Sequence, residues 1–203
     1  MLQDSYEIHR LFPTILMRKQ LNIDFSKEQL KLFKSSKKRK NRLNWISEDD
    51  YILNVECMSN IKDIIMGSVQ QYFTDIISAP TDIQPYITQS WLNWTKQFEG
   101  HHRHEHSNSI VSGVFYVQSD EDDKIYFSKN VSQAIKIDPT QFNDLNADMW
   151  WLPSTQMSLI LFPSQLVHEV MFKQSDSTRI SLSFNTFVNG PLGQRNGLNY
   201  LKL

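Results

Sequence analysis

Four of the chain's six histidines stand in His101-His102-Arg103-His104-Glu105-His106, and a fifth, His168, follows sixty-two residues after His106. Neutral imidazole is a ligand for Zn, Cu, Fe or Ni. His104 and His106 have the i, i+2 spacing that puts two side chains on one face of an extended strand, with Glu105 pointing the other way. One strand supplies at most two adjacent ligands to one ion, so a third must come from a neighbour. His168, in Leu166-Val167-His168-Glu169-Val170, is the remaining histidine in a strand-like context. The pattern predicts a metal centre of His104, His106 and His168. Two other pairings share the window: His102 with His104 at the same spacing, and His102 with His106 at the i, i+4 spacing of a helix. Gly100 before the cluster and the β-rich Ile110-Val111-Ser112-Gly113-Val114-Phe115-Tyr116-Val117 after it argue against the helix. His101 and His102 are expected to be exposed or to flank the ligands.

Eleven residues after His168 comes Arg179-Ile180-Ser181. A turn rich in Ser, Asp and Gln separates them, so a hairpin is expected to set Arg179 on the strand beside His168. A guanidinium next to a metal site suits bidentate binding of a carboxylate. Ser181 shares the face of Arg179 and adds a hydroxyl donor.

These groups need a β framework to converge. Strands are predicted over Tyr86 to Phe98, Ile110 to Gln118, Lys124 to Ser128, Ser158 to Phe162, Leu166 to Phe172 and Thr178 to Val188, with turn residues between them. That spacing suits an antiparallel sandwich or barrel. Ahead of it, Ile8 to Leu21 reads as an opening strand, and Ser26 to about Phe33 as a helix capped by Ser26. Met58 to Ile77 carries apolar residues at three- and four-residue spacing and is predicted to pack on the outside of the sheet, ending before Pro80. The basic run Lys37-Lys38-Arg39-Lys40-Asn41-Arg42 is expected to be a solvated loop.

The 203 residues suit one domain: strand and supporting helices over 1–85, a β core over 86–190, and a tail over 191–203. A net charge of −1 gives no global indication of nucleic acid or anionic lipid. The lone Cys57 rules out an intrachain disulfide and fits a reducing compartment. No stretch approaches the roughly 20 apolar residues of a membrane helix. A cytoplasmic protein is expected.

Taken in order, the motifs resemble those of the 2-oxoglutarate/Fe(II)-dependent dioxygenase superfamily, whose pattern is His-x-Asp/Glu, a distant His, then Arg, often as Arg-x-Ser. A nearer likeness is to a small branch found in phages and marine bacteria. It rests on Leu11-Phe12-Pro13, Trp91-Leu92-Asn93, His104-Glu105-His106, Ser112 through Val117, Phe162-Pro163-Ser164 through His168, and Arg179 through Asn185. The resemblance implies a mainly β fold: a double-stranded β-helix, or jelly roll, with an N-terminal α/β extension. It implies Fe(II) on His104, His106 and His168, with 2-oxoglutarate chelating the metal and its far carboxylate on Arg179 and Ser181. Asn93 stands where AlkB-type members carry a cosubstrate-contacting Asn, and Tyr116 offers a hydroxyl to the same carboxylate. Dioxygen would be the oxidant, and hydroxylation of an unknown substrate would yield succinate and CO2. The chain departs from the superfamily at His106, which occupies the usual carboxylate position and leaves the metal one charge more positive.

Two other readings compete. Cupin-type three-histidine dioxygenases or isomerases use His-x-His and a distant His, but carry a Glu a few residues later, where this chain has Ser107-Asn108-Ser109-Ile110-Val111. A non-catalytic metal-binding jelly roll is the other. The substrate-facing walls are expected in Lys34 to Tyr51, Val131 to Trp151 and Asn189 to Leu203; Met149-Trp150-Trp151 is expected in core packing or an oligomer contact, with a place at the substrate mouth as the alternative.

Overall fold

A computed structural model describes residues 6–129, 135 and 137–203. In chain order its elements are β1 (Met17–Gln20), α1 (Lys27–Ser35), β2 (Lys38–Lys40), β3 (Trp45–Ser47), α2 (Ser59–Tyr72), β4 (Gln84–Thr95) and β5 (His101–His104). There follow β6 (Val111–Gln118), β7 (Lys124–Ser128), β8 (Met149–Pro153), β9 (Ser158–Pro163), β10 (Val167–Val170), β11 (Arg179–Asn189), β12 (Pro191–Leu192) and β13 (Leu201–Lys202). A seven-stranded sheet runs β1-β9-β6-β11-β4-β3-β2, and a four-stranded sheet runs β5-β10-β7-β8. The chain passes between these two sheets at almost every step from β4 to β11, and all the pairings are antiparallel. This is a double-stranded β-helix.

The major sheet is covered on both faces, and its strands read accordingly. Every residue of β6 except Gln118 is buried. Leu92 and Trp94 of β4, Phe115 of β6, Leu159 and Leu161 of β9, and Leu182 and Phe184 of β11 pack in one core with Ile61, Ile65, Val69 and Tyr72 of α2. Alternate residues face the other way, where Val114, Tyr116, Ile160 and Phe162 meet Ile125 and Phe127 of the minor sheet. Continuous apolar runs are the signature of strands buried on both faces. Gly113 of β6 leaves room for the Phe184 ring: a Cβ there would lie 2.2 Å from Phe184 Cζ.

The helices follow their local signals. Ser26 caps α1 through a reciprocal pair, with its Oγ accepting from Gln29 N–H (3.2 Å) and Gln29 Oε1 accepting from Ser26 N–H (2.9 Å). Such a box stabilises a helix by about 1 kcal/mol. The segment predicted as one helix over Met58 to Ile77 divides into α2 and a π turn over Phe73–Ile77. It stops at Ser78, whose φ of 54° is left-handed, just before Pro80.

Several boundaries differ from expectation. Only Met17–Gln20 of the opening segment pairs, on β9. The basic run is not a loop: Lys38–Lys40 forms an exposed edge strand against β3. Charged side chains on an edge strand discourage pairing with another chain. Residues 166–172 contribute only Val167–Val170. Met149, Trp150 and Trp151 open β8 and are 42%, 44% and 43% exposed, so they are not core. The tail pairs with itself through β12 and β13. Val131 to Ala134, within a predicted wall loop, lie outside the described residues. No helix among the described residues is long and apolar enough to cross a membrane.

Candidate active site

Interior-facing positions of β4 and β11 are polar where the opposite faces of the same strands are apolar. Asn93 and Thr95 alternate with Leu92 and Trp94, and Arg179, Ser181 and Ser183 alternate with Ile180, Leu182 and Phe184. These polar groups line one cavity together with Trp91, His101, His104, His106, Tyr116 and His168.

Three imidazoles converge there. One ring nitrogen each from His104, His106 and His168 lies within 4.8 Å of the others, a group that could hold a metal ion. His104 and His168 are direct cross-strand partners on β5 and β10, with ring centroids 4.3 Å apart. His106 completes the set, 5.0 Å from His104 and 5.1 Å from His168. It is not on the same strand as His104, as its spacing predicted. β5 ends at His104, because the chain must leave the minor sheet to reach β6 in the major one.

Hydrogen bonds settle which nitrogen faces the cavity. The Nδ1 of His104 lies 2.7 Å from the His102 carbonyl, and the Nδ1 of His168 lies 2.9 Å from that of Leu166. A carbonyl only accepts, so each Nδ1 carries the proton and each Nε2 presents a lone pair. Phe162 meets the His168 ring edge to face at 4.7 Å, and Trp91 lies 5.8 Å from His106. Burial holds all three imidazoles below their ordinary value of 6.5. His168 falls to about 3 and His106 to about 4, each also lowered by His104, and His104 itself is lowered by burial. They are therefore neutral near pH 7, the form that ligates metal.

The loop carrying His106 is pinned by small polar residues. His106 N–H donates to Ser164 O (2.9 Å), and the Ser164 hydroxyl contacts those of Ser112 (2.8 Å) and Ser109 (2.7 Å). Ser112 in turn donates to Asn185 Oδ1 at 2.8 Å. Ser112, Ser164 and Asn185 stand in three separate sequence motifs, and this network is what joins them.

His101 and His102 are half-buried and flank these three histidines. The ring of His101 stacks on His104 at 4.5 Å and 14°, and His101 lines the cavity. With His104 the two form a second group whose nitrogens lie within 4.8 Å. The alternative pairing of His102 with His104 thus has a geometric counterpart, although the Nδ1 of His104 is already engaged by His102 O. Among the described residues, no carboxylate joins either group.

Arg179 is buried, and its route to the cavity corrects the predicted hairpin. Its strand β11 does not lie beside β10; the two belong to opposite sheets. Arg179 pairs with Thr95 of β4 and lines the histidine cavity from across the barrel. Its Nη2 donates to Thr95 Oγ1 at 3.3 Å, while Nε and Nη1 are buried without any hydrogen-bond partner. Ser181 lies between Asn93 and Tyr116 in register, and all three line the cavity. Asn93 is partly engaged, its Nδ2 donating to Ser183 Oγ at 3.0 Å. Burial pushes the Tyr116 hydroxyl's pKa up, against the pull of nearby Arg179, so it stays a donor.

Sequence reasoning overlooked Thr95 and Trp91, whose signal was the i±2 spacing from Asn93 on a strand. It also overlooked Lys173, Asp120 and Asp123 behind Arg179, which fall between the predicted strands.

Residues 89–185, a span holding every residue discussed for the site, match the family "Putative 2OG-Fe(II) oxygenase". No curated protein sequence matches the chain. Solved structures share the fold at low identity. An oxidoreductase of the 2OG-Fe(II) oxygenase family from Burkholderia pseudomallei is 12% identical, with a TM-score of 0.58 over 84% of this chain and 83% of its own. HygX from Streptomyces hygroscopicus, with nickel and 2-oxoglutarate bound, is 10% identical, with a TM-score of 0.59 over 85% and 82%. The α-ketoglutarate-dependent epimerase SnoN from nogalamycin biosynthesis is 11% identical, with a TM-score of 0.57 over 79% and 70%. Topology, sequence match and histidine order agree: residues 89–185 match the 2OG-Fe(II) oxygenase family, and the fold is shared with solved structures of 2OG-Fe(II) oxygenases.

Proposed function

We propose that this protein is a 2-oxoglutarate- and Fe(II)-dependent oxygenase that hydroxylates a substrate while converting 2-oxoglutarate to succinate and CO2. One observation carries the reading. Arg179, a buried cation with two unpartnered N–H donors, shares its cavity with three neutral imidazoles. Buried donors without partners are rare in native proteins, and a carboxylate is the ligand a guanidinium binds best.

The donor set fits the group. His104, His106 and His168 would hold Fe(II) through nitrogen. Arg179 and Ser181 would take the far carboxylate of 2-oxoglutarate, with Tyr116 and Asn93 as further contacts. Bound together with dioxygen, Fe(II) and 2-oxoglutarate supply oxidative decarboxylation and C–H hydroxylation. The protein's own residues hold the reactants in register. The hydrogen bonds to His102 O and Leu166 O orient two imidazoles, Phe162 and Trp91 pack against the rings, and Val114, Ile125 and Phe162 form an apolar wall that limits water. The HygX structure holds nickel and 2-oxoglutarate on the same fold. A cupin-type reading gives Arg179 no task.

We further read residues 1–203 as one cytoplasmic oxygenase domain, supported by the shared core of α2 and the major sheet and by the free Cys57.

The test is succinate formation from 2-oxoglutarate with purified protein under air. It should require Fe(II) and fall to background in His168→Ala and Arg179→Ala. Wild-type protein loaded with Ni(II) that fails to bind 2-oxoglutarate would refute the assignment.

A further inference from the structure

We propose that Lys173 is a positioning residue that keeps Arg179 free for a carboxylate by holding Asp123 away from it. The inference rests on the function proposed above and concerns how that site stays receptive.

Lys173 lies in the connection between β10 and β11, and its side chain is 2% exposed. Its main chain is tied down by Lys173 N–H to Glu99 O (2.9 Å) and Phe98 N–H to Lys173 O (2.8 Å). Its ammonium reaches both oxygens of Asp123 (3.3 and 3.2 Å), Asp120 Oδ2 (2.6 Å) and Ser175 Oγ (2.6 Å). Asp123 Oδ2 also accepts from Ser119 Oγ (3.1 Å) and Asp120 N–H (3.0 Å). Asp123 is therefore held by three donors, the Lys173 ammonium, the Ser119 hydroxyl and the Asp120 N–H. Its Oδ1 stops 3.8 Å from Arg179 Nη1, too far for a hydrogen bond, and that nitrogen remains unpartnered.

Two buried opposite charges at that distance attract strongly, and roughly 1 Å of movement would bring them to the 2.7–2.9 Å of a charge-assisted bond. Lys173 is the competing cation that prevents it. Without the ammonium, Asp123 would turn onto Arg179 and occupy the donors that a ligand needs. The four charged groups Lys173, Arg179, Asp120 and Asp123 also balance to zero, and loss of Lys173 leaves a net negative charge that repels a dicarboxylate. Both effects act in one direction.

The test compares two ligands by calorimetry on Ni(II)-loaded protein. 2-Oxoglutarate uses the metal and Arg179, whereas oxalate chelates the metal and has no far carboxylate. Lys173→Met should weaken 2-oxoglutarate by about 10-fold or more and leave oxalate within about 2-fold. Lys173→Met/Asp123→Asn should restore 2-oxoglutarate to within about 3-fold of wild type, because the competing carboxylate is gone. Asp123→Asn alone should bind 2-oxoglutarate at least as tightly as wild type. Unchanged 2-oxoglutarate binding in Lys173→Met overturns the proposal, as does equal loss of both ligands without rescue. If Lys173→Met does not fold, the other two variants decide: weakened 2-oxoglutarate binding in Asp123→Asn, or binding in the folded double variant well outside about 3-fold of wild type with oxalate unchanged, overturns it. Wild-type protein that binds oxalate but not 2-oxoglutarate overturns the proposed function and this inference with it.

Discussion

The two sheets of the barrel carry different halves of the site and are built to different standards. The major sheet is packed on both faces, with α2 outside and the cavity wall inside, and its long strands carry Arg179 at the start of β11, Ser181 two residues on, Asn93 near the end of β4 and Tyr116 within β6. The minor sheet has four strands of four or five residues, and its edge strand β8 leaves Trp150 and Trp151 more than two-fifths exposed. It holds His104 at a strand end, His168 at mid-strand and His106 just beyond, in a loop. On the proposed function, the comparison teaches that the groups for the anion stand on the more heavily packed sheet. The imidazoles rest on shorter elements, where side-chain hydrogen bonds and loop serines supply the order that the sheet does not.

Three measurements can break or sharpen that contrast. The largest effect is expected from Leu182→Ala in β11, whose side chain is fully buried between the major sheet and α2. It should lower stability by about 2–5 kcal/mol in urea denaturation, the usual range for a leucine cavity in a packed core. A loss no larger than that of a surface variant would mean the major sheet is not the rigid half.

Next comes acid sensitivity of the metal-free protein. His168 and His106 titrate at about 3 and about 4 when folded, below the ordinary 6.5 they regain on unfolding. Between those values the unfolded chain binds more protons, so stability is complete above about pH 6.5 and is lost as pH falls toward 4 and 3. Thermal midpoints should drop steadily from pH 7.5 to pH 5, and His168→Gln should flatten the slope. A midpoint indifferent to pH would show that the imidazoles are not buried as described.

The smallest effect is expected from Trp151→Ser on β8, where Lys124 Nζ lies 4.4 Å from the ring centre and much of the indole is exposed. A change within about 1 kcal/mol is predicted, in line with other surface substitutions. A loss as large as that of Leu182→Ala would erase the distinction between the sheets.

Much of the site was legible because its residue types are costly to place without reason. His104, His106, His168 and Arg179 stand out as clustered or buried polar groups in apolar strands, and they share one cavity. The supporting groups were less visible. Lys173, Asp120 and Asp123 belong to turn-like sequence, and nothing local distinguishes a caged lysine from a solvated one. Strand lengths were overestimated at residues 8–21 and 166–172 because apolar composition persists beyond the point where a partner strand ends. β2 was read as a loop because its charges mark an edge strand and a solvated turn alike.

The sequence by itself determined which side chains can ligate, which faces of β4 and β11 are polar, and where α1 begins, since each follows from residue type and a period of two or 3.6 residues. Only the tertiary structure decided that Arg179 shares a cavity with the histidines from the opposite sheet, that His106 leaves the strand of His104, and that Lys173 and Arg179 both approach Asp123. Those relations depend on which strands become neighbours when the barrel closes. Pairing between distant segments is selected by the packing of the whole core, and no local pattern encodes it.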